Sequence, residues 1–216
     1  NMEYDKLTIS IYDQNNVRHD YVKDAYGNIK QVIEYDEGEQ YVTNYEYDSL
    51  GRLLKVIDDQ NNEINYEYDT FGRRITAITP NSGTWNYVYD LEGNLIEQQD
   101  DEGNIVTIQY DDLNREISRT ADGEMTTYVY DLDKIGTLSS ITTSVVEKKQ
   151  ALSTISVVEK NYEYDSRLRL TQETQTIDGI DFVTSYTYDN VDRVISKTLP
   201  NGELVDYEYN NQGELE

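Results

Sequence analysis

The sequence has no cysteine, and its 216 residues include only one histidine, one tryptophan, two phenylalanines and two prolines. Without cysteine there is no disulfide framework and no thiolate zinc site. His19 alone cannot form a histidine metal cluster, and it is the one imidazole base open to any serine nucleophile. It sits in a degenerate N-terminal stretch, where a surface role is expected. No run of about 18 apolar residues exists, so no membrane-spanning helix is expected. No signal peptide is read either; the chain begins Asn1-Met2 and reads as an excised piece. Positive charge is scarce, with 18 Lys and Arg against 43 Asp and Glu, a net charge of −25. Repulsion of that size argues against nucleic acid and anionic lipid as partners. Aliphatic residues are also few. Leu, Ile, Val and Phe total 51, near the level where a highly charged chain stays disordered.

Tyrosine is abundant instead, with 21 residues. Fifteen of them fall in one recurring motif, Tyr-x-Tyr-Asp or a close variant. They are Tyr45 and Tyr47, Tyr66 and Tyr68, Tyr87 and Tyr89, Tyr110, Tyr128 and Tyr130, Tyr162 and Tyr164, Tyr186 and Tyr188, and Tyr207 and Tyr209. The second Tyr falls at 47, 68, 89, 110, 130, 164, 188 and 209, in steps of 21, 21, 21, 20, 34, 24 and 21. Internal repetition at such a period indicates a repeat architecture. Counting back from the second Tyr, apolar and polar residues alternate, as in Tyr68, Tyr66, Ile64 against Glu67, Asn65. Period two with aromatic and β-branched residues on one face predicts half-buried antiparallel strands, and almost no helix.

Two turn signals flank these strands. The first follows the motif: Asp48, Asp69, Asp90, Asp111, Asp131, Asp165 and Asp189 each open a turn, with Gly51, Gly72 and Gly93 three residues after the first three. Asp caps its own turn, and Gly accepts the positive φ that closes it. Asn114 and Asp192 replace Gly as the next most tolerant residues, whereas Leu168 is expected to be strained or to mark a different turn. The second signal lies mid-unit, at Asn61, Gly83, Gly103, Gly123, Gly179 and Gly202, and reads as short hairpin turns. The Arg after the first turn (Arg52, Arg73, Arg115, Arg169, Arg193) has three readings: stacked on a Tyr, paired with the Asp of a neighbouring unit, or solvated. Any core has to be built largely from Tyr, whose hydroxyl needs a partner when buried.

The unit Tyr45-Glu-Tyr-Asp-Ser-Leu-Gly-Arg-Leu53, and its copy at 66–74, resembles the YD repeat, also called the Rhs repeat, of Rhs proteins, insecticidal Tc toxin components, bacterial wall-associated proteins and teneurins. The resemblance covers about residues 21–216. It implies an all-β fold, a spiralling strip of antiparallel hairpins forming an open fragment of a β-shell. It also implies a non-catalytic structural role in a larger secreted or surface bacterial protein, whose shell encloses or displays a toxin or effector segment. The implied partners are adjacent repeats, the enclosed segment, or another copy meeting an open sheet edge, with no cofactor and no membrane insertion. The family's Asp-Pro-x-x-Gly-Arg closing segment is absent, since neither Pro80 nor Pro200 follows an Asp. The chain thus reads as one array over 1–216: degenerate repeats over 1–44, regular repeats over 45–131, an irregular insertion over 132–161 and regular repeats over 162–216.

In that insertion Ser-Val-Val-Glu-Lys occurs at 144–148 and again at 156–160, which predicts a long hairpin with similar arms, or an arm projecting toward a partner. Three alternatives stay open from the residues. Acidic turns at Asp58-Asp59, Asp100-Asp101-Glu102 and Asp111-Asp112 offer oxygen ligands for calcium, without an EF-hand pattern. A carbohydrate- or cell-wall-binding module would also use aromatic hairpins near this period, with Trp85 as the reporter. Two units of 21 residues approach one propeller blade, but no alternation of odd and even units is seen.

Overall fold

The computed structural model describes residues 7–149 and 152–216, and every regular element in them is a β-strand. The chain divides into two compact units between Ile105 and Val106. The first contains β1 (Leu7–Tyr12), β2 (Arg18–Lys23), β3 (Ile29–Asp36), β4 (Glu39–Tyr47), β5 (Leu53–Ile57), β6 (Glu63–Tyr68), β7 (Arg74–Thr79), β8 (Gly83–Tyr89) and β9 (Leu95–Gln99). The second contains β10 (Ile105–Tyr110, whose first residue lies at the division), β11 (Glu116–Ala121), β12 (Glu124–Tyr130), β13 (Leu138–Lys149), β14 (Leu152–Tyr164), β15 (Leu170–Ile177), β16 (Ile180–Tyr188), β17 (Val194–Thr198) and β18 (Leu204–Asp206). Within each unit every strand pairs antiparallel with its sequence neighbours, giving a meander.

The register sets the faces. Tyr45 lies opposite Val56, which lies opposite Ile64, two residues before Tyr66. Tyr66 in turn faces Ala77, and Ala77 faces Trp85, two residues before Tyr87. Side chains alternate along a strand, so these residues share one face. In the second unit Tyr128, Ile141, Lys160 and Tyr162 follow the same rule. The other face is mostly polar, with Asn65, Thr76, Asn86 and Gln99 in the first unit beside Ile57, Ile78 and Val88, and with Thr142, Glu159 and Thr176 in the second.

The tyrosines do not make a closed core. They are half-buried, and among the described residues the buried hydrophobic side chains are Val22, Ala77 and Ile108. The physical reason is that each unit is one sheet layer, and a single layer leaves water on its faces. The buried Ala77 lies opposite Tyr66 on one neighbouring strand and Trp85 on the other.

β13 and β14 pair through ten positions, from Ser140 opposite Asn161 to Lys149 opposite Leu152. The tip of this hairpin lies outside the described residues, as do the side chains of residues 146–149 in its first arm and 152–156 in its second. Three hairpins close on two residues with positive φ, Glu37-Gly38, Asp122-Gly123 and Asp178-Gly179, the turn that follows the natural strand twist.

Leu168 occupies the same turn as its glycine counterparts, with φ 62 and its N–H donating to the Asp165 carbonyl. A left-handed conformation costs a bulky L-residue about 1–2 kcal/mol. Leu168→Gly should therefore raise stability by about 0.5–1 kcal/mol after the extra unfolded-state freedom of glycine is subtracted. Urea unfolding reads this directly, and an unchanged or lower midpoint would show the turn to be unstrained.

Candidate functional site

The repeated site is a clasp that joins neighbouring hairpins where their strands part. Its base is a five-residue turn. In the turn from Asp48 to Arg52, the Asp48 N–H donates to the Arg52 carbonyl and the Gly51 N–H donates to the Asp48 carbonyl. The Asp48 carboxylate accepts from the Leu50 and Arg52 N–H groups on Oδ1, at 2.9 Å each, and from Arg52 Nε on Oδ2, at 2.6 Å. The pattern recurs with Asp69 and Arg73, Asp111 and Arg115, Asp165 and Arg169, and Asp189 and Arg193. Asn28 at the Asp24 turn and Asn94 at the Asp90 turn take the Arg position, each donating from its side-chain amide to that Asp. Gly51 and Gly72 have φ of 79 and 86, and Asn114 and Asp192 have 59 and 69. Asp131 departs from the expected turn. It opens a wider loop, with its N–H on the Thr137 carbonyl and its carboxylate accepting from the Gly136 N–H.

The ladder pairing shifts register just before the second Tyr of the motifs from Tyr47 to Tyr188. Glu46 faces Lys55 but Tyr47 faces Leu53, so Leu54 is an extra residue, a β-bulge. On its other side β5 pairs with β6 only from Lys55 onward. The Leu53 carbonyl thus lies past the end of that ladder, and the Tyr68 hydroxyl reaches across to donate to it at 2.9 Å. Tyr47 donates in the same way to Ile29, Tyr89 to Arg74, Tyr130 to Glu116, Tyr164 to Leu138, Tyr188 to Leu170 and Tyr209 to Val194. Burial pushes the phenols of Tyr47, Tyr130, Tyr164 and Tyr188 up, which keeps them protonated as donors.

The Arg completes the clasp. Besides binding its own turn Asp, Arg73 donates from Nη1 to the Asp90 carbonyl of the next unit at 2.7 Å and lies 4.9 Å from the Tyr89 ring centre. Arg52 does the same with Asp69 and Tyr68, and Arg169 with Asp189 and Tyr188. Arg115 and Arg193 lie over Tyr130 and Tyr209. Of the three readings of this Arg, the structure shows stacking at all five positions and pairing with a neighbouring unit's Asp at two: besides its own turn Asp, Arg115 binds Asp131 and Arg169 binds Asp192. Only a planar fork with donors on several sides serves these contacts at once.

The turn carboxyls are held below the usual carboxylate range. For Asp48, Asp111 and Asp189 the leading cause is the backbone N–H of the Arg four residues on, and for Asp165 it is the Arg169 side chain. At Asp69 and Asp90 partial burial is the largest influence and pushes upward, but the combined hydrogen bonds outweigh it. The proposed calcium turns spend their carboxylates in the same way: Asp58 accepts from Gln60 and Asn62, and Asp100 from Glu102 and Asn104. Among the described residues no group of three or more His, Cys, Asp or Glu is placed to hold a metal ion.

The first Tyr of each motif has a different role. Tyr66 lies on the sheet face near Arg74, 5.6 Å from ring centre to guanidinium, and its hydroxyl has no protein partner among the described residues. One polar cluster escaped the sequence reading. Asp20 is buried on β2 and accepts from Ser10 Oγ at 2.6 Å, from Arg18 Nε and Nη2 at 2.8 and 2.7 Å, and from the Tyr35 hydroxyl at 3.1 Å. It lacks the Asp-to-Arg spacing of the turns; only the register, which sets Ser10 opposite Asp20, reveals it.

Hairpins of this period, locked by Asp–Arg turns and Tyr phenols, define a YD-repeat β-strip, a structural shell element. The chain belongs to the teneurin YD-shell family, whose model matches residues 1–216. It is similar in fold to the crystal structure of TcdB2-TccC3-TEV, at 16% identity and a TM-score of 0.58, over 93% of this chain and 13% of that one. A structure of the Photorhabdus luminescens Tc holotoxin pore matches at 14% identity and a TM-score of 0.47, over 93% of this chain and 15% of that one. This chain therefore spans a small part of the length of the solved proteins it matches. No relative was found among curated protein sequences.

Proposed function

We infer that the chain is a non-catalytic wall segment of a secreted or cell-surface β-shell that encloses or displays a toxin or effector segment. The observation that carries this reading is the clasp. Stability comes from bonds within the sheet layer, at the turn edge, rather than from a packed core beneath it. A layer held together in this way is suited to being a wall, because neither face has to be used up against a second layer. Family membership and the shared fold support the same reading.

Limited proteolysis of the intact gene product tests it. The enclosed segment should resist protease until the shell is opened by denaturant. Digestion at the rate of the free segment would refute enclosure.

A further inference from the structure

We propose that the groove between the turns opened by Asp24 and Asp48 binds a guanidinium group from outside the chain, in the place that an Arg of the repeat takes at other junctions. Three of those junctions show what the place holds when the chain fills it. Arg52, Arg73 and Arg169 each donate from Nη1 to the carbonyl of the next turn's Asp, at 3.1, 2.7 and 3.1 Å. Each also lies over the second Tyr of the next motif, at 5.0, 4.9 and 4.7 Å from the ring centre.

At the Asp24 turn the receiving groups are the same, but the residue before Ile29 is Asn28. Tyr47 is held as its counterparts are, with its hydroxyl donating to the Ile29 carbonyl at 3.0 Å. The Asp48 carbonyl accepts the Gly51 N–H at 3.1 Å, just as the Asp69 carbonyl accepts the Gly72 N–H. Among the described residues no Arg lies over the Tyr47 ring or donates to the Asp48 carbonyl. Asn28 is too short for either. Its amide donates to Asp24 Oδ2 at 3.1 Å, and its Oδ1 is left on the side of the next turn. A methyl on Gly51 would meet Asn28 Oδ1 at 3.9 Å, whereas one on Gly72 would meet Arg52 Nη1 at 3.7 Å. An acceptor thus stands beside Gly51 where a donor stands beside Gly72.

The space matches the chemistry. An open groove of about 810 Å³ lies there, lined among others by Tyr26, Asn28, Tyr47, Asp48 and Leu50. It gathers acceptors, the Asp24 carboxylate, Asn28 Oδ1 and the Asp48 carbonyl, around one ring face. A flat cation with donors on several sides answers all of these, and a guanidinium is one where an ammonium is not. Lys30 also lines the groove and opposes a cation, but Asp24 and Glu46 outnumber it, and the chain's net charge of −25 draws cations in. Two sources carry this chemistry, an arginine side chain of another polypeptide and a free guanidino compound. Tyr26 and Leu50 offer exposed apolar surface to the stem of an arginine. A single group at an open site supports a dissociation constant on the order of 1 mM.

Two-dimensional proton–nitrogen NMR of the chain tests the proposal, with Nα-acetylarginine amide, methylguanidinium and Nα-acetyllysine amide titrated at matched ionic strength. The arginine amide should shift the amide signals of Tyr26 to Lys30 and of Tyr47 to Gly51 to saturation, and bind at least about fivefold more tightly than the lysine amide. Signals around Gly72, where Arg52 already fills the place, should not move. Asn28→Arg should abolish the shifts and raise the urea midpoint. Arg52→Asn should open a second site, seen as new saturable shifts around Gly72; if that variant does not fold, Asn28→Arg carries the test. Tighter binding of the arginine amide than of methylguanidinium assigns the groove to an arginine side chain, and equal binding assigns it to the small cation. The absence of any saturable shift overturns the proposal. A lysine amide that binds equally well overturns it too, since the attraction is then charge alone. So does an Asn28→Arg variant that binds like the parent, which places the ligand elsewhere. None of these results bears on protease protection of an enclosed segment.

Discussion

Tyr68→Ala is expected to lower the free energy of unfolding by about 3 kcal/mol, Tyr68→Phe by about 1 kcal/mol, and Tyr66→Phe by less than about 0.5 kcal/mol. The two tyrosines are two residues apart on β6, point to the same face and are both half-buried. They differ in what the hydroxyl does. Tyr68 donates to the Leu53 carbonyl beyond the end of the β5–β6 ladder, and no backbone N–H of β6 is paired with β5 at that level. Removing the hydroxyl orphans that carbonyl, and an unmade hydrogen bond costs more than a made one gains. Removing the ring as well takes away the surface on which Arg52 lies at 5.0 Å. Urea unfolding of the three variants gives the comparison. Equal losses for Tyr66→Phe and Tyr68→Phe, or none for either, would show that the hydroxyl does not close the gap.

The same comparison explains how so thin a structure holds. A half-buried Tyr contributes less by burial than a core side chain does, and Val22, Ala77 and Ile108 are few for a chain of this length. The deficit is met at the turn edge, where one Arg joins its own turn to the next unit's carbonyl and ring. Where the Arg is present, the unit is thereby tied to its neighbour by side chains as well as by the backbone ladder. In a linear array stability is a sum of unit and neighbour terms, so each such tie adds to its own junction.

The period, the strands and the turn positions could be read from the sequence because each rests on local chemistry. Tyr66 and Tyr68 alternate with Asn65 and Glu67, and Asp69 with Gly72 can only be a turn. The role of the second Tyr is not legible in the sequence, since its acceptor is 15 residues away and lies past the end of the β5–β6 ladder. For Arg73 the sequence left three readings, and separating them needed the side-chain placement of Asp69, Tyr89 and Asp90 together. Leu168 shows the reverse case. The strain was foreseeable from its place in the repeat, because the turn fixes the backbone whatever residue fills it. The buried Asp20 was invisible because its partners, Ser10 and Tyr35, come from two other strands.

Acid should unfold the protein within a narrow window, and the sign follows from the turn carboxyls. Asp24, Asp48, Asp58, Asp69, Asp90, Asp100, Asp111, Asp131, Asp165 and Asp189 all lie below their ordinary value in the folded state. A group depressed on folding contributes stability that is fully present above its unfolded pKa, about 3.9 for Asp, and is lost as pH falls through its folded value. Protonation removes the charge that holds each Arg fork and one acceptor position in each turn. Asn210 shows what remains without the charge: its side-chain oxygen still accepts from the Gln212 and Glu214 N–H groups, but no Arg is bound. Acidification from neutrality first relieves the repulsion of a chain with net charge −25, whose isoelectric point is about 4.2. The urea midpoint should therefore rise modestly between about pH 7 and pH 5, and fall steeply below about pH 4 as the turns protonate one after another. A fall that begins well above pH 5 would assign the titration to other groups. An unchanged midpoint at about pH 2, below the unfolded carboxyls, would show that the turn carboxylates do not hold the strip together.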